Sequence, residues 1–209
     1  MNDNLYLLRI NRLTSAGVVI FITAFIVATF FYPGGNQVDA SKHGFDWMHN
    51  YWCNLMNESA INGEMSMARW IAIPAWLILC LSLAFFFYQI AELRSTTLRS
   101  KQILKFGGIF TALASSLLFT RFHDEVTILA SIIGLLLILI FIRIVYHLDT
   151  KLYQVGGLVC LILLAVNNFI YYTEILLSYL PIIQKATFAF ILSWILGYNA
   201  SLYRSIKSL

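Results

Sequence analysis

Charged side chains are scarce in this sequence: Asp, Glu, Lys and Arg together make up only 11% of its 209 residues. An ordinary soluble domain carries roughly twice that share to keep its surface in water, so that class is excluded. Cysteine is scarce too. Cys53, Cys80 and Cys160 form no CxxC pair and no disulfide framework. Cys80 and Cys160 fall inside apolar runs and read as small core residues, whereas Cys53 lies in an aqueous segment. Also missing are the GxxxxGK, GxGxxG and HExxH patterns and any RNA-binding signature, which leaves no case for a nucleic-acid partner. No GxSxG-like elbow offers a serine nucleophile. The two halves of the chain show no repeat, against an inverted-repeat transporter. No charge sits in the middle of an apolar run, against an ion pathway.

What the chain does have is apolar sequence, 60% of the total, arranged in long blocks. A helix needs about 20 residues to cross a hydrocarbon core about 30 Å thick. Six stretches approach that length, at about 14–32, 68–91, 106–120, 126–146, 153–172 and 186–203. None alternates with period two, so helices and not barrel strands are expected. The expected fold is an all-α polytopic membrane bundle, one integral domain over 1–209. It has six transmembrane helices plus one amphipathic helix in the first extracytoplasmic loop, 33–67. Arg9 and Arg12 precede the first run as in a signal peptide. The run is long for that role and ends in Tyr32-Pro33 without a small-residue cleavage site, so it reads as a retained span.

Orientation follows from the basic residues. With the N-terminus inside, the cytoplasmic side receives Arg9, Arg12, Arg94, Arg99, Lys101, Lys105, Arg143, Lys151, Arg204 and Lys207. Only Lys42, Arg69, Arg121 and Lys185 fall on the other side. Asp39, Asp46, Glu58, Glu64, Asp124, Glu125 and Glu174 are expected there as well. The formal net charge of +4 is therefore a topology signal. Both termini are expected in the cytoplasm, at a bacterial inner or plasma membrane.

The 33–67 loop carries the most information. Tyr32-Pro33-Gly34-Gly35 is a turn signal. Beyond it, at about 100° per residue, Phe45, Met48, Trp52, Leu55 and Met56 share one helical arc, extended by Trp47 and Tyr51. Asp46, His49, Asn50, Cys53, Asn54 and Asn57 fall on the other. That pattern predicts an amphipathic helix at the membrane edge with aromatic anchors. Its polar arc lacks the Lys and Arg of a lipid-surface helix, so it either lines a site or is simply solvated. Asn57-Glu58-Ser59 forms a glycosylation sequon.

Two further polar groups lie on the same expected side. Arg121-Phe122-His123-Asp124-Glu125 joins the third and fourth runs, and Asp124, Thr127 and Ser131 share a helix face. Asp124 is equally suited to capping that helix. The fifth run carries Asn167, Asn168, Tyr171 and Tyr172, followed by Glu174; amides at that depth commonly bond between helices. The outer half of the bundle is thus expected to be polar and the inner half apolar. His43, Asp46, His49, His123, Asp124 and Glu174 could converge there.

Three functions follow. The first is a lipid-handling protein whose pocket, with Asn50, Asn54, Asn167 and Asn168, holds a lipid head group. The second is a zinc-dependent lipid hydrolase with His49, His123 and Asp124 as metal ligands and Asp46 or Glu174 as general base. The third is a structural or assembly subunit that meets a membrane partner or a second copy of itself.

The Tyr32-Pro33-Gly34-Gly35 turn, the Asn50-Tyr51-Trp52-Cys53-Asn54-Leu55 segment and the His123-Asp124 pair resemble features of uncharacterised bacterial six-span membrane proteins. These are in turn distantly similar to the superfamily of autophagy-modulator and GPI-lipid-remodelling membrane proteins. The resemblance covers the six-span layout; it implies a helical bundle and lipid handling, and transfers no catalytic residue.

Overall fold

The computed structural model describes residues 2–94, 97–120, 122–148 and 151–207. Six long helices account for most of them: α1 (Asn2–Thr29), α2 (Arg69–Arg94), α3 (Leu98–Ser115), α4 (His123–Leu148), α5 (Lys151–Thr173) and α6 (Leu180–Lys207). There is no strand among the described residues, only isolated bridges at Gly34–His43 and Ser59–Met65. Among the described residues, five helical stretches are long and apolar enough to cross a membrane: Asn4–Thr29, Arg69–Leu93, Glu125–Ile144, Lys151–Thr173 and Leu177–Lys207. The protein is therefore a helical bundle suited to a membrane.

The third apolar run is placed differently from the sequence expectation of 106–120. Thr97 caps α3, its hydroxyl accepting from the Ser100 N–H at 3.2 Å, so the helix begins ahead of Arg99, Lys101 and Lys105. Those three residues look like loop in the sequence. Two of them, Lys101 and Lys105, pair with Glu92 on α2, Lys101 at 2.5 Å, which ties this part of the helix to its neighbour. At its other end α3 stops at Ser115, where the Ser116 hydroxyl turns back to the Leu113 carbonyl at 2.7 Å.

Consecutive helices pack as neighbours, and α6 closes back on α1. Close approach relies on small residues, as is common in membrane bundles. Gly17 of α1 lies against Ser82 of α2, and Gly156 of α5 lies against the Trp194 indole of α6, so neither site has room for a side chain. Away from the loop the core is aromatic. The fully buried Tyr198 meets Phe141 at 5.2 Å and Tyr153 at 5.1 Å between centroids, both edge to face. Outward positions on α4 and α5, such as Ile132, Leu136, Leu158 and Ile162, are exposed, as lipid-facing side chains would be.

The half of the bundle away from the loop is not purely apolar, contrary to the expectation above. Asn11 of α1 and Asn199 of α6, both buried, are joined by three amide hydrogen bonds, and a fourth ties Asn199 to Ser15. Asn11 Nδ2 donates to Asn199 Oδ1 at 2.8 Å and to its carbonyl at 2.9 Å. Asn199 Nδ2 donates to the Asn11 carbonyl at 2.8 Å and to Ser15 Oγ at 2.7 Å. Gln89 of α2 reaches Thr14 of α1 at 3.0 Å. These residues lie far apart in the sequence, and only the closure of α1 against α2 and α6 brings them together.

Candidate functional site

The 33–67 segment folds over one end of the bundle without the amphipathic helix expected at 45–57. Its one helical element is a single 3-10 turn, Trp52–Met56. The reason lies in the side chains of the polar arc, which capture backbone groups that a helix would use internally. Asn50 Oδ1 accepts from the Asp46 N–H and Asn54 Oδ1 from the Tyr51 N–H, at 2.8 and 2.7 Å. Asp46 Oδ1 accepts from the Met48 N–H at 2.8 Å. The burial pattern is not that of a surface helix: Asp46, Asn50 and Asn54 are buried along with Trp52, Leu55 and Met56, whereas Trp47 and Met48 are exposed.

Asn50 is the hub of this loop. Fully buried, it also donates through Nδ2 to the Gly35 carbonyl at 2.8 Å, while its own carbonyl accepts from Lys185 Nζ of α6 at 2.5 Å. Gly35 has φ +79, and an added Cβ would collide with the Asn62 backbone, so this turn requires glycine. Asp46 Oδ2 accepts from Asn36 at 2.9 Å and from Lys42 at 2.6 Å, and meets His49 Nδ1 at 3.0 Å. Burial works against its charge, but Lys42, His49 and the Met48 N–H overcome that and hold the carboxyl well below the usual carboxylate range. Asp46 is an ionised loop anchor with its lone pairs occupied, a poor general base.

Beneath the 3-10 turn lies a cavity of about 340 Å³. Its wall combines Tyr51, Trp52, Cys53 and Met56 of the loop with Phe25 of α1, Trp76 of α2, Leu118 of the turn after α3, Thr127 of α4, Asn167, Asn168 and Tyr171 of α5, and Leu180, Gln184 and Phe188 of α6. The aromatic part is one packed cluster. Trp52 stands 5.5 Å from both Phe25 and Phe188, and Trp76 is 6.2 Å from Phe188. The indole N–H of Trp52 is buried and has no acceptor among the described residues. Burial pushes the Cys53 thiol up to about 11, so it stays protonated near neutrality and offers no thiolate nucleophile.

The amides on the wall are oriented by neighbouring groups. Asn167 Nδ2 donates to the Leu163 carbonyl at 2.9 Å and to Thr187 Oγ1 of α6 at 2.6 Å; Asn168 Nδ2 donates to the Leu164 carbonyl at 2.8 Å. Neither Oδ1 atom accepts a hydrogen bond in the described contacts. Gln184 Oε1 accepts from the Trp52 backbone N–H at 3.2 Å, which ties α6 to the loop.

Of the residues singled out by sequence, Asn167 and Asn168 line the cavity, whereas Asn50 and Asn54 lie within the loop and do not line it. His49 meets Asp46, and no group of three His, Cys, Asp or Glu residues forms a metal cluster among the described residues. The side chains of His123 and Asp124 lie outside the described residues. His43 is exposed and its backbone bridges Gly34. Glu174, exposed at φ 58 after α5, does not line the cavity. Trp76, Gln184 and Phe188 were not foreseen. Gln184 and Lys185 do carry a signal, a polar pair just after Pro181 at the head of an apolar run. No family model, curated protein or solved structure matches this chain.

Proposed function

We propose that this chain is a six-span protein of a bacterial plasma membrane, with both termini cytoplasmic, whose cavity on the extracytoplasmic side binds a lipid head group. The sixth span is α3. With 18 residues it measures about 27 Å, close to the thickness of the hydrocarbon core. It runs antiparallel to α2, from the Glu92–Lys101 pair at one end, past Phe87 against Gly108, to the Trp76 indole donating to the Ser115 carbonyl at 2.7 Å. Six crossings put the loop end of the bundle opposite the basic termini, in keeping with the Lys and Arg bias.

One observation carries the binding reading: the cavity pairs an aromatic wall with amides whose oxygens have no partner among the described residues. Ligand sites are typically concave and apolar with a few placed polar groups, and this cavity has that character. Its size suits a head group and the first carbons of its chains. The resemblance to uncharacterised six-span membrane proteins, themselves distantly similar to a superfamily that includes lipid-remodelling proteins, points the same way.

Two experiments test this. Cysteines introduced at Ser41 and Ser100 should label from opposite faces of the membrane, Ser41 from outside; labelling from one face would refute six spans. Native mass spectrometry of the full chain should show about one retained lipid per protein, lost in Leu118→Trp, which fills the cavity. Equal retention in both proteins would refute binding at this cavity.

A further inference from the structure

The cavity's polar groups specify the kind of head it accepts. Asn167 commits both amide N–H groups, to the Leu163 carbonyl and to Thr187 Oγ1, and Asn168 commits one, to the Leu164 carbonyl, so both Oδ1 atoms and one Asn168 N–H are left to face a ligand. Amide oxygens accept; they do not donate. The surrounding rings reinforce this, because the faces of Trp52, Trp76 and Phe188 carry negative electrostatic potential and attract cations. No charged side chain lines the cavity among the described residues. An anionic head would therefore exchange its hydration for a few neutral donors, the Trp52 indole N–H and amide N–H groups of Asn168 and Gln184, with no cationic side chain beside it. Lys185, next in sequence to Gln184, is committed elsewhere, donating to the Asn50 carbonyl within the loop.

Resting on the lipid-binding reading above, we propose that the cavity selects an alkylammonium head group, that of an ethanolamine- or choline-type lipid. Its N–H or N–CH₃ groups sit against Asn167 Oδ1 and Asn168 Oδ1 and against the aromatic wall. Gln184, whose Oε1 is taken by the Trp52 N–H, keeps its amide N–H for an oxygen of the same lipid. Selection comes from the ammonium, since the chains of competing lipids are alike. A cation–π contact out of water contributes a preference of about tenfold or more.

The test uses the full chain in detergent, exchanged against an equimolar mixture of dihexanoyl phosphatidylethanolamine and dihexanoyl phosphatidylglycerol, with retention read by native mass spectrometry. The expected result is retention of the ethanolamine lipid over the glycerol lipid by about tenfold. Asn168→Leu, on the cavity wall, should bring that ratio to within about twofold while total lipid stays bound through the apolar wall. Equal retention of both lipids by the unaltered protein would overturn the ammonium inference and leave lipid binding intact. Preference for the glycerol lipid would overturn it too. Retention of neither would overturn the lipid-binding reading itself. The comparison on the unaltered protein decides the matter even if Asn168→Leu fails to fold.

Discussion

Replacing Asn50 by Ala should release the loop from the end of the bundle. The Asn50 side chain satisfies the Asp46 N–H and the Gly35 carbonyl, at 2.8 Å each, in a position with no solvent exposure. Removing it leaves two buried backbone groups unpaired, each costing about 1–3 kcal/mol, so the folded loop should lose about 2–6 kcal/mol. The Asn50 carbonyl still accepts from Lys185, so the helices themselves should stay assembled. At the low end of that range the open population rises about thirtyfold. Cys53 reports it, because its half-buried thiol faces the cavity wall and stays protonated while the loop is closed. In a C80A/C160A background, maleimide labelling of Cys53 at fixed pH should accelerate by about thirtyfold or more in Asn50→Ala, since labelling tracks local opening. Asn57→Ala, at an exposed position just beyond the 3-10 turn, should leave the rate unchanged. Equal rates in the two variants would refute the idea that Asn50 holds the loop.

Trp52→Glu and Asn54→Glu should both lower thermal stability severely, by several kcal/mol, because both residues are buried and neither has a counter-charge; a harmless Asn54→Glu would mean that its face is solvated. The Asp46 carboxyl is held below its unfolded value of about 3.9, so its contribution is fully present above that pH and is lost as pH falls toward the folded value. Cys53 protection, corrected for intrinsic thiol reactivity, should therefore be constant down to about pH 4 and weaken below it, and Asp46→Asn should abolish this acid dependence. Asn11→Ala and Asn199→Ala should each cost about 1–2 kcal/mol in detergent melting, with the double variant costing less than the sum of the two, because both remove the one bond between the side chains while each also removes bonds of its own.

A membrane span is encoded locally, and so the apolar runs were legible: length and hydropathy decide it with little help from neighbours. The start of α3 was not, because Lys101 and Lys105 look like loop until Glu92 on the adjacent helix is in place. Periodicity failed at 45–57 for a different reason. Phe45, Met48, Trp52 and Leu55 do have helical spacing, yet Asp46, Asn50 and Asn54 offer the backbone a competing set of hydrogen bonds, and those win. Asn167 and Asn168 stood out as amides deep in an apolar run. Trp76 and Phe188 did not, since an aromatic near a membrane edge is ordinary, and only the approach of α2 and α6 beneath Trp52 makes them a wall.

The central claim, that a lipid head occupies this cavity, is tested most directly by mapping where a head-proximal photoreactive lipid attaches. A diazirine-bearing ethanolamine lipid irradiated with the full chain in vesicles is predicted to mark the peptides containing Trp52, Asn168 and Phe188, and Leu118→Trp is predicted to erase those marks. Marks confined to the exposed faces of α4 and α5, at Ile132, Leu136, Leu158 and Ile162, and unaffected by Leu118→Trp, would mean that lipid only surrounds the bundle and would contradict the claim.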